Sequence, residues 1–156
     1  MNELREKVRR LSISLNRIDG LYERMSRKFG YKANMLWLLY SLDDGEAKSQ
    51  KQICEEWMFR PTTLNTIVKE CEAEGYVTLE HIPGTRREMS VRLTESGKEY
   101  AHAILNPLYA AEEQALAAIP DADRLIELLE TFQKQLSDRF DAIPPLAENE
   151  KEKNDR

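Results

Sequence analysis

Apolar residues recur every three or four positions through the first thirty residues, with charged residues between them. This apolar stripe consists of Leu4, Val8, Leu11, Leu15, Ile18, Tyr22, Met25 and Phe29. Such a repeat of about 3.5 residues predicts an amphipathic helix over residues 3–29, about 40 Å long, that ends at Gly30. A helix of that length extends beyond a small core. Its stripe therefore needs a partner, either another long helix of the same chain or a second subunit.

The following segments predict three shorter helices. Residues 33–42 are apolar on nearly every side, which is typical of a buried central helix. The spacing of Ser49 and Gln52 predicts a capping box at the start of a short helix. Pro61 suits a helix start, and a further helix is predicted over 62–74. Two short helices joined by a tight turn form a helix-turn-helix unit.

A β-hairpin is predicted after the helix-turn-helix unit. Apolar and polar residues alternate over 76–82 and 89–93, and the turn residues 83–88 separate these two strands. Two adjacent arginines, Arg86 and Arg87, lie at the tip of the turn. The sequence therefore predicts a mainly α fold with a small β-hairpin, of the α+β class.

The C-terminal third predicts two long helices and a tail. The first runs from residue 95 to about residue 119, and Pro107 is expected to kink it. Asp121 is expected to cap the second, which runs to about Phe140. Residues 147–156 are charged and poor in apolar residues, which predicts a disordered tail.

The charge of the chain is unevenly distributed. The net charge of the 156 residues is −5, which taken alone argues against nucleic-acid binding. Residues 1–47 carry a net +2, residues 48–98 are neutral, and residues 99–156 carry a net −7. The net negative charge of the chain thus comes from its C-terminal third. Residues 35–40 form the longest apolar run, far short of the roughly 20 residues of a membrane span, and no signal peptide is recognisable. We expect a cytoplasmic protein without a membrane partner.

The helix-turn-helix and hairpin together resemble the MarR family of bacterial transcriptional regulators. The resemblance is carried by residues 49–57, 62–65, 67–68 and 72–77, and by the wing and helix start at 85–87 and 91–97, including Leu93-Thr94-x-x-Gly97. It implies a single domain over 1–146, with a winged helix-turn-helix body at 31–94. The segments 1–30 and 95–143 would then be dimerisation helices.

The resemblance also implies a function. It predicts a homodimer, formed by the first, fifth and sixth helices, that binds double-stranded DNA at a pseudo-palindromic operator. Such a protein is usually a repressor that a small molecule relieves. The sequence departs from the family at Thr85, where the wing commonly carries an aspartate that orients the arginine at the position of Arg87. Glu88 is a possible substitute for that aspartate.

Nine residues are predicted to contact DNA. They are Lys51, Arg60, Thr62, Thr63, Asn65, Thr66, Lys69, Arg86 and Arg87. The first turn of a recognition helix reaches base edges, where asparagine can pair with adenine and threonine can contact thymine. Arginines on a wing suit the minor groove or its phosphates. In the alternative interpretation, the threonines and asparagine are ordinary residues of a helix start and the arginines belong to a solvated turn.

Aromatic residues suggest a second site, for a small aromatic effector. Its candidate lining is Tyr22, Met25, Trp37, Tyr40, Tyr100 and Tyr109, with His102 beside them. Apolar pockets with a few polar groups suit aromatic acids. The alternative is that these residues belong to the core.

Other functional classes have less support. The sequence lacks a Gly-rich loop and a recognisable catalytic set, so we expect no enzyme activity, no cofactor and no metal. Two functional interpretations of the cysteines are a redox switch at Cys54 and Cys71 and a zinc site at Cys71 and His81. The structural interpretation is favoured over both, because each cysteine falls on an apolar helix face and is expected to be buried. A helical protein–protein adaptor that keeps the fold without binding DNA is a further alternative.

Overall fold

A computed structural model describes residues 2–144. The chain divides into two compact units, one ending at Ala110 and one beginning at Ala111. The helices are α1 (Glu3–Phe29), α2 (Ala33–Leu42), α3 (Gln50–Trp57), α4 (Pro61–Ala73), α5 (Glu95–Ala117) and α6 (Ala122–Asp141), and the strands are β1 (Lys48–Ser49), β2 (Val77–His81) and β3 (Met89–Leu93). The predicted fold class is confirmed. The predicted tail at 147–156 lies outside the described residues.

The long first helix is confirmed at both ends. Asn2 caps α1 by accepting a hydrogen bond from the backbone N–H of Arg5. Gly30 ends the helix in the left-handed conformation, with φ of 79°. The backbone N–H groups of Gly30 and Tyr31 donate to the carbonyls of Arg27 and Ser26, which satisfies the last turn.

The core of the first unit is built around α2. Its residues Leu36, Leu38, Leu39 and Leu42 are fully buried, as the prediction of a central helix required. The other buried apolar residues of this core are Ile53, Leu64, Ile67, Val68, Cys71, Val77, Val91, Leu93, Ala101, Leu105 and Leu108. Both helices of the helix-turn-helix and both strands of the hairpin are therefore fixed to one apolar centre.

The sheet has three antiparallel strands in the order β1-β3-β2. Strand β1 was not predicted, because two residues show no periodicity; it pairs Lys48 with Val91 and Ser49 with Ser90. The predicted hairpin is confirmed, with β2 shorter by one residue at each end than the predicted 76–82.

Three predicted helix boundaries need small corrections. Helix α4 begins at Pro61 and ends at Ala73, one residue earlier than predicted at each end. Helix α5 ends at Ala117 rather than near residue 119. It continues as one helix through Pro107.

The second unit contains the end of α5 and the whole of α6. Asp121 caps α6 by accepting a hydrogen bond from the backbone N–H of Arg124, as predicted. None of the residues of α6 is buried, although Leu125, Leu129 and Phe140 give the helix an apolar face. Of the helices in residues 2–144, none combines the length and apolarity needed to cross a membrane.

Candidate nucleic-acid interface

Helix α3 is attached to the sheet at its first residue. Ser49 ends strand β1 and also caps α3. Its hydroxyl accepts from the backbone N–H of Gln52 at 3.1 Å, and the Gln52 side chain accepts from the backbone N–H of Ser49 at 2.8 Å. The predicted capping box is confirmed, and it fixes the start of α3 beside β3.

The turn between α3 and α4 is tight. Met58 ends α3 in the left-handed conformation, with φ of 53°. Arg60 caps α4 without a side-chain hydrogen bond, and Pro61 is its first residue. Pro61 lacks the N–H that would be unsatisfied there, and its fixed φ suits the first helical turn. The structure thus leaves the first turn of α4 accessible.

Helix α4 has one buried and one exposed face. Leu64, Ile67, Val68 and Cys71 are buried in the core. On the opposite face Thr62, Asn65, Thr66 and Lys69 are exposed, whereas Thr63 is half-buried. The Thr66 hydroxyl donates to the carbonyl of Thr62 at 3.0 Å, so its proton is used within the helix. Asn65 is also exposed on this face, and its side-chain amide and carbonyl form no hydrogen bond with another residue of 2–144.

The predicted basic residues of α3 and α4 differ in whether a carboxylate lies near the charged group. The Lys51 ammonium lies 3.9 Å from the Glu55 carboxylate, one turn further along α3. Among residues 2–144, neither Arg60 nor Lys69 has a carboxylate within 4.0 Å. Surface ion pairs as long as that of Lys51 contribute little, so all three cations can turn toward a phosphate.

The wing presents two arginines at its tip. Arg86 and Arg87 are exposed, and neither forms an ion pair with any described residue. Thr85 supports the turn instead, because its hydroxyl donates to the carbonyl of Ile82 at 2.8 Å. The backbone carbonyl of Glu88 accepts a hydrogen bond from the N–H of Ile82, and its carboxylate forms no ion pair with any residue of 2–144. The idea that Glu88 replaces the family's aspartate as a partner of Arg87 is therefore wrong for this structure.

The Leu-Thr-x-x-Gly motif joins the wing to α5. The Thr94 hydroxyl donates to the carbonyl of Gly75 at 2.6 Å and accepts from the N–H of Gly97 at 3.0 Å. The Ser96 hydroxyl also donates to Gly75, at 3.0 Å. A Cβ on Gly97 would lie 1.9 Å from the carbonyl oxygen of Tyr76. The motif therefore holds the end of α4 close to the start of α5, and its role is structural.

The predicted effector residues only partly come together. Tyr22 contacts Trp37 with ring centroids 4.7 Å apart, and Tyr40 contacts Trp37 at 5.9 Å and Tyr109 at 5.1 Å. Trp57, which the prediction missed, lies 5.3 Å from Tyr40. Its position on the inward side of a short helix indicates burial, but not which rings the side chain contacts.

The remaining candidates surround that aromatic cluster or lie apart from it. Met25 packs against the core, and Tyr100 stacks on Tyr76 at 4.2 Å instead of joining the cluster. The Tyr109 hydroxyl donates to the Asp43 carboxylate at 2.9 Å, and Nε2 of His102 lies 3.6 Å from the same carboxylate. The effector site stays a prediction, centred on Tyr22, Trp37, Tyr40 and Tyr109.

Both cysteines are free thiols with little tendency to ionise. Cys71 is fully buried, and burial raises its pKa to about 11, with a smaller contribution from Glu70. Its thiol donates to the Met35 sulfur at 3.0 Å. Burial also raises the pKa of the half-buried Cys54. Within the described part of the chain, no group of three or more His, Cys, Asp or Glu side chains could hold a metal ion.

Comparison with known proteins agrees with this geometry. The model of the MarR family matches residues 29–88, which include the whole helix-turn-helix. A search of the curated proteins gives no match. A MarR family regulator from Neisseria meningitidis has the same fold, with a TM-score of 0.77 and 22% identity over 90% of this chain and 98% of that one.

Two further solved structures are similar. The transcriptional regulator BldR from Sulfolobus solfataricus gives a TM-score of 0.71 at 16% identity, over 86% of this chain and 99% of that one. AbfR of Staphylococcus epidermidis, reduced and bound to DNA, gives 0.68 at 21% identity, over 86% and 97%. The resemblance to the MarR family is therefore confirmed: the helix-turn-helix region matches the family's model, and the chain has the winged-helix fold of MarR family transcriptional regulators.

Proposed function

We propose that this chain is a sequence-specific DNA-binding regulator that binds a pseudo-palindromic operator as a homodimer. One observation carries the proposal. The exposed first turn of α4 and the tip of the wing belong to separate elements attached to one core, and both present polar or basic side chains that form no ion pair with any residue of 2–144. Such pairing of a recognition helix with a basic wing suits a major groove and an adjacent minor groove.

The residues of α4 are assigned to base edges. Asn65 suits bidentate pairing with an adenine, and Thr62 and Thr63 offer a hydroxyl and a methyl group to neighbouring bases. The N–H groups of the first turn of α4 and the side chains of Arg60 and Lys51 suit phosphate oxygens. The remaining assignments are Thr66 and Lys69 on the same face of α4, and Arg86 and Arg87 at the minor groove or its phosphates.

The proposed dimer supplies two such surfaces. Along α1 the side chains of Leu4, Val8, Leu15 and Ile18 stay exposed in the single chain, which supports their burial by a second subunit. Two half-sites about 34 Å apart, one helical turn of DNA, would match a two-fold symmetric protein.

We also propose that the protein is a repressor which a small aromatic molecule relieves. The aromatic cluster around Tyr40 supports this, since it joins α1, α2, α3 and α5. A ligand inserted among these rings would change how α5 lies on the helix-turn-helix body. The Asp43–Tyr109 hydrogen bond is a contact that such a ligand would compete with.

Fluorescence anisotropy of labelled duplexes tests DNA binding. We expect selective binding to a duplex obtained from a random pool, with a slope of log affinity against log salt of about −7 for roughly eight phosphate contacts per dimer. Asn65→Ala should relax the preference at one position of each half-site, at a cost of about 1–3 kcal/mol. Weak and equal binding to all duplexes would instead favour the protein–protein adaptor.

A further inference from the structure

Met58 occupies a backbone conformation that its side chain disfavours. Its φ of 53° and ψ of 33° lie in the left-handed region, and no other non-glycine residue of 2–144 has a positive φ. Glycine adopts this conformation freely, whereas a residue with a Cβ meets the following carbonyl oxygen. The turn itself therefore gives no reason for a methionine at this position.

The packing of the folded chain gives no reason either. The Met58 side chain is 87% exposed, more than any other large apolar residue of the described chain. The next residue, Phe59, packs against the core instead. A single exposed apolar side chain is ordinary on a protein surface, but one held in a disfavoured conformation is not.

Met58 lies just before the start of α4, next to the residues proposed to contact DNA. Two residues further on, Arg60 caps α4, and Thr62 lies on the exposed first turn. Two residues of chain span at most about 7 Å, so the Met58 backbone lies at the edge of the proposed DNA surface. Thymine is the base that presents an apolar group, its 5-methyl, in the major groove. A long, polarisable thioether can adapt to such a group.

We propose that Met58 is a specificity residue that packs its thioether against a thymine methyl group at the edge of each half-site. The proposal rests on the proposed DNA-binding function and adds to it a thymine contact made from outside α4. It assigns the exposed Met58 side chain to DNA rather than to a protein partner, because the exposed Arg60 and Thr62 of the proposed DNA surface lie two and four residues further along the chain.

Deoxyuridine substitution tests the contact directly, since it removes only the methyl group. The probe is the duplex selected by the wild-type protein, with each thymine replaced in turn. The variants are Met58→Gly and Met58→Asn, which suit the left-handed conformation and lack the thioether, and Met58→Leu, which keeps an apolar side chain. Affinities are measured by anisotropy at one salt concentration, and thermal melting is recorded for each variant.

We expect one thymine per half-site at which deoxyuridine weakens wild-type binding about fourfold, the effect of one buried methyl-sized group. The glycine and asparagine variants should be insensitive at that position and should melt no lower than the wild type. The leucine variant should retain part of the sensitivity.

The outcomes distinguish a failure of the Met58 contact from a failure of the proposed DNA-binding function. Wild-type protein without any sequence-selective binding would overturn both. Selective wild-type binding with the same deoxyuridine profile in the glycine and asparagine variants would overturn the methyl contact alone. Equal weakening of these variants on every duplex would also overturn it, because Met58 would then act through the geometry of the turn.

Discussion

Gly97 lies where the start of α5 meets the backbone of Tyr76, and a larger residue has no room there. We expect Gly97→Ala to destabilise the protein by about 1–3 kcal/mol or more, because its Cβ would force the wing and α5 apart. The measurement is urea denaturation followed by circular dichroism. Gly20→Ala in α1 is the matched control, since nothing lies within 4 Å of its added Cβ. That control should gain about 0.5–1 kcal/mol, and equal losses in both variants would contradict the argument.

A second prediction at the scale of residues concerns the reactivity of the two cysteine thiols. Because burial raises the pKa of Cys71 to about 11, only about one molecule in ten thousand carries its thiolate at pH 7. The thiolate is the reactive form, and the side chain is also fully buried. We expect iodoacetamide to label Cys71 only after unfolding, and Cys54 more slowly than a free thiol.

Mass spectrometry of the native and the urea-unfolded protein measures both labelling rates. The unfolded protein is the control, since both thiols are then exposed and have ordinary pKa values. Native labelling of Cys71 at the unfolded rate would revive the redox-sensor interpretation. Absence of native labelling at Cys71 would remove one of its two required thiols.

How far single residues could be predicted depends on whether their role is local. Gly30 and the pair Ser49 and Gln52 act within one helical turn, so their spacing in the sequence was enough. The left-handed conformation of Met58 was not predictable, because the position carries neither the glycine nor the asparagine that usually marks such a conformation. The same holds for Thr85, whose hydroxyl bonds within a turn that the sequence only outlined.

At the scale of elements, the contribution of the wing to DNA binding can be tested without disturbing the fold, because its tip arginines are exposed. Arg87→Ala should weaken binding to every duplex and flatten the salt slope by about 1, the effect of one lost phosphate contact. Anisotropy from low to physiological salt measures this. Arg10→Ala on α1 is the control, because it removes the same charge from an exposed site far along the sequence from the wing. An unchanged slope for Arg87→Ala would remove this arginine from the proposed contacts.

The elements themselves were predictable in proportion to their periodicity. Helix α1 repeats its apolar positions over 27 residues, and its predicted ends are those observed. Strand β1 has two residues and exists only because β3 lies beside it, so no local pattern could reveal it. The aromatic cluster is likewise a product of packing, since Trp57 reaches Tyr40 from a different helix.

At the scale of the whole molecule, helices α1 and α6 each keep large apolar side chains exposed. The exposed residues include Leu4, Val8, Leu15 and Ile18 on α1 and, described separately, Leu128, Leu136 and Phe140 on α6. In α1 they follow the heptad spacing that a second helix requires. A single chain that folds with such a stripe open gains stability when a second copy covers it.

We therefore expect the protein to have a mass near 36 kDa in solution, twice the 18.2 kDa of the chain, when measured by light scattering during gel filtration. Replacing Leu15 and Ile18 together by glutamate should shift it toward the monomer, because two charges cannot be buried unpaired in an apolar seam. Ser14→Glu adds a charge to an exposed position beside the stripe and should leave the dimer intact. Since the operator is expected to need both half-sites, the double variant should also lose selective binding while keeping its helical content. A double variant that remains dimeric would mean that the stripe on α1 is not the subunit interface.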